Sequence, residues 1–465
     1  MKKTNRLLCL IMALMMSVSL VVLSSCGGNG DGDNSGTTNG GEVTGTSEHG
    51  QEIFDYGGKT VMAACFYNGI VNKTGTSTSE AGIRTLKHMD YIQKLYNCKF
   101  DMVVSQTIPD QVRATHMAGT TYADVLIQFA STVNALRDEG LVYPIGDVYN
   151  LENPRTNFNW SAMEGGKKGG KYYYVFCGSP NVSLTIFKPK YLETYGIEDP
   201  YELYDQGKWT TDKYLEIVKK ITQLGAADNV YGCTAVNSDP NFSQILAQFG
   251  TEWVKKDEDG YFVSNLDDSR ILEALNWTAE VNKCAPPADA EGATTVFTTV
   301  ISNAHMSPLS QRDPNLENVE YAIYHPLSQY VSSPPNVVYN ANVTFMQAAL
   351  GDEKARQIGA IWQSYTTYEG EWATPQEERD RLNRADWAAR CYNDRSCDIV
   401  LDLQKRDGGP QITNVTLAGN IHVDKDLFNT VKKILAGETT AASGIESVKS
   451  YVETRIKLKN RELDK

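Results

Sequence analysis

The sequence lacks the residue patterns of several kinds of chemical site. Its six histidines are scattered and no His-x-His or Cys-x-x-Cys spacing occurs, so no metal site and no cofactor are indicated. It has no Gly-x-Ser-x-Gly motif, so nothing supports a serine hydrolase. Cations are in the minority, because 44 lysines and arginines face 57 acidic residues and leave a net charge of -13. We therefore expect no nucleic-acid partner.

Two further enzyme sites, a phosphate-binding loop and a glycosidase pair of carboxylates, are not supported by the sequence. Residues 165–171 (GGKKGGK) nearly match a phosphate-binding loop, but Tyr172 stands where a magnesium-binding Ser or Thr is needed. A strand-like YYYVF then follows in place of the helix whose N-terminus would bind the anion. A glycosidase needs two carboxylates about 5 to 9.5 Å apart, and the many acidic residues single out no pair. We expect no catalytic residues.

The N-terminal residues have the order of a secretory signal. Basic residues precede an apolar segment at 7–23, and Leu-Ser-Ser then leads to Cys26. This ending resembles the lipobox of bacterial lipoproteins, in which the cysteine is lipidated and begins the mature chain. A membrane span is the alternative, but the segment contains two serines and lies at the short limit for a bilayer. We expect 1–25 to be a signal peptide and Cys26 to anchor the protein, outside the cytoplasm, to the cell membrane.

A linker is predicted after the anchor. Residues 27–50 contain nine glycines and a single aliphatic residue, Val43, so they cannot bury a core. We expect 26–56 to be the lipidated cysteine and a flexible tether. The body that follows, 57–465, is long enough for one large or two medium domains.

The spacing of the cysteines in the mature chain favours free thiols over disulfide bridges. Cys391 and Cys397 are close enough to close a small loop, and whether they form a disulfide stays open. The other cysteines beyond Cys26 lie singly within apolar segments, which predicts buried small hydrophobic residues. They are Cys65, Cys98, Cys177, Cys233 and Cys284.

Strands and helices alternate along the body. Residues 60–66 (TVMAACF), 99–105 and 123–130 (ADVLIQFA) are predicted to be strands, and apolar residues at helical spacing occupy 83–95. A second series of strands and helices begins with a strand at 182–187. This alternation favours a parallel, doubly wound sheet.

Several segments resemble, in order, the family-1 solute-binding proteins of ABC importers, the maltose-binding-like group. They include ADVLIQFA at 123–130, GKWTTDKYLEIVKKIT at 207–222 and the long element QFGTEWVKKDEDGYFVSNLDDSRILEALNW at 248–277. The C-terminal segment from 420 resembles the family's last helices. The resemblance covers nearly all of the body, and the order of the motifs behind a lipobox and tether is more specific than any one of them.

The resemblance implies an α/β, two-lobed, periplasmic-binding-protein-like fold of type II, with a ligand cleft between the lobes. The first lobe would take 57–178 and 340–397, and the second 179–339 and 398–465. The implied function is that of a monomeric binding protein that captures a sugar or oligosaccharide and delivers it to ABC importer permease subunits by lobe closure. A peptide or other polar metabolite as ligand, and a surface polysaccharide-degrading enzyme, are the alternatives.

The resemblance also implies positions for ligand contacts, at strand ends, at the first crossing and in the second lobe. Ordinary packing or a turn is the alternative for each position. Phe129 and Phe242 are favoured as core residues, whereas Asn68 and Asn181 are favoured as site residues. The candidate positions are Phe66, Tyr67, Asn68, Gln128, Phe129, Ser131, Ser179, Asn181, Asn241, Phe242, Leu309 and Phe428.

One segment departs from the family pattern. At 296–312 (VFTTVISNAHMSPLSQR), Leu309 stands at about the place where the family has a Trp that stacks on sugar. Leu309 would then face a smaller or less carbohydrate-like ligand. Alternatively, another aromatic residue such as Trp253 or Trp362 would enter the site from a different loop.

Overall fold

A computed structural model of the chain describes residues 43–47, 50–67, 80–153, 156, 158–177, 182–236, 239–258, 261–300, 309–313, 315, 318–335, 342–367, 376–405 and 425–463. All of them belong to one unit, 41–465, and the other unit, 1–40, lies outside the described residues.

The strands are β1 (Val43–Thr46), β2 (Glu52–Phe54), β3 (Thr60–Cys65), β4 (Lys99–Val104), β5 (Val125–Phe129), β6 (Lys167–Lys168), β7 (Lys171–Tyr172), β8 (Leu184–Phe187), β9 (Val230–Cys233), β10 (Val254–Lys256), β11 (Phe262–Ser264), β12 (Thr294–Val300), β13 (Tyr321–Ile323) and β14 (Asn342–Phe345).

The helices are α1 (Glu80–Leu95), α2 (Ile108–Met117), α3 (Ala130–Asp138), α4 (Trp160–Glu164), α5 (Pro189–Tyr195), α6 (Pro200–Asp205), α7 (Thr211–Gly225), α8 (Asp239–Gln248), α9 (Ser269–Asn282), α10 (Leu309–Arg312), α11 (Asp352–Thr367), α12 (Gln376–Ala388), α13 (Asp394–Lys405), α14 (Lys425–Leu435) and α15 (Ala441–Leu463).

The described chain begins with a hairpin. Strands β1 and β2 pair antiparallel, Phe54 is buried in a core, and Glu52 forms an ion pair with Arg356 of α11. The hairpin lies within the predicted tether, 26–56, whose bounds remain a prediction. The hairpin depends on contacts with residues far along the chain, and a local composition of glycines and polar residues does not indicate them.

The first sheet has the strand order β14-β5-β3-β4. Strands β3, β4 and β5 are parallel and β14 runs antiparallel to β5. Helices cover both faces: Ile92 of α1 and Trp362 of α11 are buried on one, and Val112 of α2 and Leu136 of α3 on the other. The three predicted strands of this sheet are confirmed. The expectation of a wholly parallel sheet is wrong, because the four-residue strand β14 joins its edge.

The second sheet has the order β13-β8-β12-β9. Strand β9 is parallel to β12, while β8 is antiparallel to both β12 and β13. Thr210 is the N-cap of helix α7, and its side chain accepts a hydrogen bond from the backbone N–H of Lys213. It packs closely on β9 because Gly232 has no side chain, and a Cβ there would collide with the backbone of Val218.

A third apolar cluster joins α8, α9, the β10–β11 hairpin and the two C-terminal helices. It includes Phe242 of α8, Ile271 of α9, Val431 of α14 and Val452 of α15. Asp268 is the N-cap of helix α9, and its carboxylate accepts a hydrogen bond from the backbone N–H of Arg270. The predicted C-terminal helices are confirmed, and they pack with second-sheet segments through the shared side chain of Trp277.

The residues of the two sheet cores alternate along the chain, which therefore passes from one core to the other in three places. These lie between 177 and 182, between 335 and 342, and between 367 and 376. Trp387 of α12 packs in the core of the second sheet. The predicted lobe boundaries remain a prediction, and this packing favours a last crossing before α12, earlier than 397.

The described cysteines are thiols. Cys391 and Cys397 are both buried in the core of the second sheet. The prediction of buried small hydrophobic residues is confirmed for Cys65, Cys98, Cys233 and Cys284, whereas Cys177 is half-buried.

Candidate functional site

Strands β8 and β14 each follow a crossing, and each runs antiparallel to the parallel strands of its sheet. Each therefore begins at the edge where those parallel strands end, which we call the carboxyl edge. Ligands of α/β proteins bind beyond the carboxyl ends of the strands. The crossings thus connect the two edges at which binding is expected.

The first crossing limits how far apart the carboxyl edges can be. Val175 pairs with Thr344 of β14, and this antiparallel register places Cys177 beside Asn342 at the first edge. Val182 directly precedes β8 at the second edge. Five residues of chain span at most about 18 Å. The two carboxyl edges are therefore close to one another at this crossing.

Five positions form one row across the first carboxyl edge. Phe129 pairs with Asn342, and Phe158 pairs with Cys177. The parallel register of β3 and β5 continues to Tyr67 beside Phe129. Paired residues of neighbouring strands share a face of the sheet, so these five positions lie on the face that α1 and α11 cover. We call them the edge row: Tyr67, Phe129, Asn342, Cys177 and Phe158.

Three aromatic rings cluster at one end of the edge row. The rings of Phe66 and Phe129 have centroids 4.3 Å apart, and the ring of Tyr67 meets Phe66 edge-on at 5.0 Å. Tyr67 is 40% exposed and Phe129 is 38% exposed. The expectation that Phe129 is a core residue is therefore wrong. Its strand ends at the carboxyl edge of the sheet, where the residue stays accessible to solvent.

Neighbouring amides hold this cluster in place. Gln128 is buried, and its side-chain oxygen accepts a hydrogen bond of 2.8 Å from the backbone N–H of Phe129. Gln106 donates from its side chain to the backbone oxygen of Phe66. Ser131 lies half-buried in the first turn of α3. Gln128 thus positions Phe129, and its amide is turned toward the backbone.

Asn342 adds a polar group to the edge row. Its side chain lies near the hydroxyl of Tyr67. Partial burial raises the pKa of Tyr67, and so does the nearby Cys65, whereas the Asn342 amide opposes that shift. The sequence analysis missed Asn342, because a four-residue strand carries too little periodicity to reveal its neighbours.

The second carboxyl edge contains a buried histidine. The two ring nitrogens of His325 lie 2.9 Å from the hydroxyl oxygens of Ser183 and of Thr185. Burial lowers the pKa of His325 to about 3, because a charged ring would lose its hydration. A neutral imidazole donates from one nitrogen and accepts at the other. His325 therefore ties β8 to the segment after β13, directly beside the first crossing.

Comparisons with known proteins bear on this arrangement. No protein-family model matches the sequence, and no curated protein matches it. Solved structures match the fold of this chain. The cyclic α-maltosyl-1,6-maltose binding protein from Arthrobacter globiformis has a TM-score of 0.59 at 13% identity, over 87% of this chain and 99% of that one. An ABC substrate-binding protein from Listeria monocytogenes, in complex with cycloalternan, has a TM-score of 0.56 at 14% identity, over 85% and 98%.

An ABC transporter solute-binding protein from Agrobacterium radiobacter, in complex with ribitol, has a TM-score of 0.55 at 13% identity, over 86% and 98% of the two chains. This chain has the fold of the ABC-transporter solute-binding proteins. The predicted α/β, two-lobed fold of type II is therefore confirmed. In the solute-binding-protein fold, the space between the two carboxyl edges is the cleft between the lobes.

The predicted residues of the second lobe are placed differently from those of the first. Phe242 is 1% exposed and its ring stacks on Trp253 at 5.4 Å, so it is a core residue, as the sequence favoured. Asn241 lies in α8, and its side chain is outside the described part. Leu309 begins α10, half-buried, and its backbone N–H donates to Ala389.

Phe428 also packs within the second lobe. Its half-buried ring contacts the cluster of the C-terminal helices, and Lys432 places its ammonium nitrogen 4.7 Å from the ring centroid. Four predicted residues, Cys26, Asn68, Ser179 and Asn181, lie outside the described residues. Among the candidates that the structure describes, those it brings together belong to the first lobe.

The tryptophans suggested as substitutes for the missing stacking residue are not available. Trp253 and Trp362 are both buried in cores. Among the tryptophans that the structure describes, Trp160 is the exposed one, at 47%. The sequence offered no sign of this, because the exposure of Trp160 depends on how α4 packs at the end of the edge row.

Other features do not indicate a second kind of site. Within the described ranges, no group of three His, Cys, Asp or Glu side chains could hold a metal ion, and no helix is long and apolar enough to cross a membrane. A pocket of about 600 Å³ lies beside the start of α9. Its Asp268 is engaged by Arg270, Thr251 and Asn265, which gives this carboxylate a structural role.

Proposed function

We propose that this protein is the solute-binding component of an ABC importer and captures a carbohydrate between the two carboxyl edges. The observation that carries the proposal is the ring cluster of Phe66, Tyr67 and Phe129, in which Tyr67 and Phe129 are exposed at the carboxyl edge of the first sheet. Of the structural neighbours named above, one is named as a binding protein for cyclic α-maltosyl-1,6-maltose, and the other two are complexes with cycloalternan and with ribitol. This supports the same ligand class here.

The chemistry of the edge row suits a sugar. A pyranose ring presents apolar C–H groups that pack on an aromatic face, and its hydroxyls need paired donors and acceptors. Tyr67 and Phe129 supply exposed rings, and Asn342 supplies an amide next to them. These groups are held before any ligand arrives, so little conformational entropy is lost on binding.

The proposal keeps the remaining predicted contacts. Asn68 would contact the ligand from the first lobe, Ser179 and Asn181 from the first crossing, and Asn241 from the second lobe. Gln128 and Ser131 would complete the first-lobe side. Phe242, Leu309 and Phe428 would support the second lobe by packing.

The same proposal includes location and partners. Cys26 would carry the lipid that holds a monomer at the outer face of the cell membrane, after removal of 1–25. Closure of the lobes around the ligand would present the loaded form to the permease subunits. The protein would act by binding alone, with no catalytic step and no cofactor.

Calorimetry on purified protein tests the ligand class. We expect a panel of mono- and oligosaccharides to include a ligand, and Phe129→Ala to weaken its binding about tenfold or more. Tyr451→Ala, an exposed aromatic residue on the C-terminal helix α15, is the matched control and should bind as wild type does. Binding of peptides in place of sugars, or release of new reducing ends from a polysaccharide, would contradict the proposal.

A further inference from the structure

Two buried cysteines lie side by side in the core of the second sheet: Cys233, the last residue of β9, and Cys284, just after α9. The backbone N–H of Cys233 donates to the carbonyl oxygen of Cys284 at 3.4 Å. A backbone hydrogen bond of this length places the two α-carbons about 5 to 6.5 Å apart. Disulfides join cysteines whose α-carbons are about 4.4 to 6.8 Å apart. The separation of this pair therefore fits a disulfide bond.

The side chains of the pair turn to the same place. The thiol of Cys233 donates to the carbonyl oxygen of Val281 at 3.4 Å. The thiol of Cys284 donates to the carbonyl oxygen of Glu280 at 3.8 Å. These are neighbouring carbonyls in the last turn of α9, and the two cysteines are 1% and 3% exposed. Both sulfur atoms thus lie at one end of one helix, shielded from solvent.

Hydrogen bonds hold the two chain segments against each other on both sides of the pair. The side chain of Asn282 accepts from the backbone N–H of Val236 at 2.8 Å and donates to its backbone oxygen at 3.0 Å. The hydroxyl of Thr222 accepts from the backbone N–H of Gly232 at 2.9 Å and donates to the backbone oxygen of Cys284 at 3.0 Å. The backbone is therefore already in position, and bridging the cysteines requires rotation of their side chains only.

We propose that Cys233 and Cys284 form a disulfide bond in the exported protein, and that the two thiols of the structure are its reduced form. The inference rests on the location given under the proposed function, because disulfides form and persist outside the cytoplasm, and it does not depend on the ligand. The bond ties the end of β9, at the second carboxyl edge, to the end of α9. The pair could not be predicted from the sequence, because the two cysteines lie in separate apolar segments.

The bond forms by exchange with a disulfide oxidant, either a small molecule or a protein. The thiolate of one cysteine attacks the oxidant and displaces one of its sulfurs, and the other cysteine then displaces the second. The oxidant takes up two protons and two electrons and leaves as two thiols. Burial raises the pKa of both Cys233 and Cys284 in the folded protein, so few thiolates are available there. The bond therefore forms before these segments pack, and afterwards it resists exchange.

Mass spectrometry of the full-length protein from its own cells tests this inference. The cells are lysed in denaturant with N-ethylmaleimide, which blocks free thiols before they exchange, and the protein is digested without reductant. We expect a linked pair of peptides that contains Cys233 and Cys284 and that separates on reduction. Cys98, a buried thiol in the core of the first sheet, should carry the blocking group. Blocked Cys233 and Cys284, or a bond from either to a different cysteine, would overturn the inference.

Melting temperature provides a second readout. The bond closes a long loop between β9 and the end of α9, so protein refolded with reductant should melt several degrees below the oxidised protein. The matched control Cys98→Ala should show the same difference between its two forms, whereas Cys233→Ala and Cys284→Ala should show none. If Cys233→Ala keeps the full difference, a different bond causes it and the inference is wrong. Circular dichroism shows whether each variant is folded.

Failure of the inference and failure of the proposed function are distinguishable. If fatty-acid labelling confirms Cys26 as the anchor and both Cys233 and Cys284 are blocked, the inference alone is wrong. If Cys26 is not labelled and both cysteines are blocked, the proposed location and the inference fail together. The ligand class is tested separately by calorimetry, whose result does not depend on this bond.

Discussion

Phe66 directly follows β3 and Phe129 ends the neighbouring parallel strand β5, and their ring planes meet at 46°, with centroids 4.3 Å apart. The contact forms because the register of the two strands brings the residues after β3 beside the end of β5. It leaves Phe129 exposed on its other side and gives the cluster a fixed shape. An aromatic pair of this kind contributes about 0.5 to 1.5 kcal/mol beyond its buried area.

Two phenylalanines that the sequence treated alike should respond differently to truncation. Phe242→Ala removes a ring that is 1% exposed, so we expect a loss of about 3 to 5 kcal/mol in the free energy of unfolding. Phe129→Ala should cost much less stability and should reduce ligand affinity. Guanidinium unfolding and calorimetry separate the two effects. Equal destabilisation by both substitutions would contradict the exposed position of Phe129.

The contact between Tyr67 and Asn342 allows a test of the polar part of the edge row. Asn342→Ala removes the side chain next to the hydroxyl of Tyr67 and with it an amide that a sugar hydroxyl could use. Leaving such partners unpaired in a desolvated cleft costs about 1 to 3 kcal/mol, so we expect affinity to fall about tenfold or more. Tyr67→Phe, which keeps the ring, should fall less. An unchanged dissociation constant for Asn342→Ala would place the ligand elsewhere.

The parallel strands of the first sheet could be predicted from the sequence, because each is a short apolar run bounded by turn residues. The resemblance to the solute-binding family placed candidate ligand contacts after these strands, and the rings of Phe66, Tyr67 and Phe129 lie together because parallel strands end at one edge. Gln128 lies next to them, and its amide turns to the backbone of Phe129. Their role as ligand contacts stays a prediction.

Asn342 and Trp160 could not be predicted in the same way. Asn342 reaches the site because β14 pairs with β5, more than 200 positions earlier in the chain, and no local pattern encodes that pairing. Phe158 lies at the end of the edge row because it pairs with Cys177, and Trp160 follows it on the same segment. Both positions depend on antiparallel additions to the sheet, which the alternation of strands and helices does not reveal.

The anchor can be tested independently of the ligand. Cys26 is the cysteine that follows Leu-Ser-Ser behind the apolar segment. We expect Cys26→Ala to abolish metabolic labelling with a fatty-acid analogue and to leave a precursor or a released protein. Cys177→Ala, which changes a half-buried thiol of the body, is the matched control and should be labelled normally. Persistent labelling of Cys26→Ala would show that the lipid is attached elsewhere.

The buried histidine of the second carboxyl edge should make stability depend on pH. The pKa of His325 is about 3 in the folded protein and about 6.5 in an unfolded chain. Between these values the unfolded chain binds a proton that the folded one does not, so stability falls as pH falls from about 6.5 toward 3. The slope from one such group is at most about 1.4 kcal/mol per pH unit.

His325→Asn isolates this effect from the carboxylates that titrate in the same range. The variant should be less stable than wild type at pH 7, and its free energy of unfolding should fall less between pH 6 and pH 4. His116→Asn changes an exposed histidine on α2 and should keep the slope of wild type. Identical slopes for wild type and His325→Asn would show that His325 is protonated in the folded state.

Solution scattering tests whether ligand binding closes the cleft. A ligand that touches both carboxyl edges makes contacts in the closed form that are absent from the open form, so its differential affinity shifts the population toward closure. We expect saturating ligand to reduce the radius of gyration of a chain that begins at Val43, and Phe129→Ala to remove the change at the same ligand concentration. Tyr451→Ala should contract as wild type does. Tight binding with an unchanged scattering curve would place the ligand in a preformed pocket of one lobe, and the permease could not then distinguish loaded from empty protein by lobe closure.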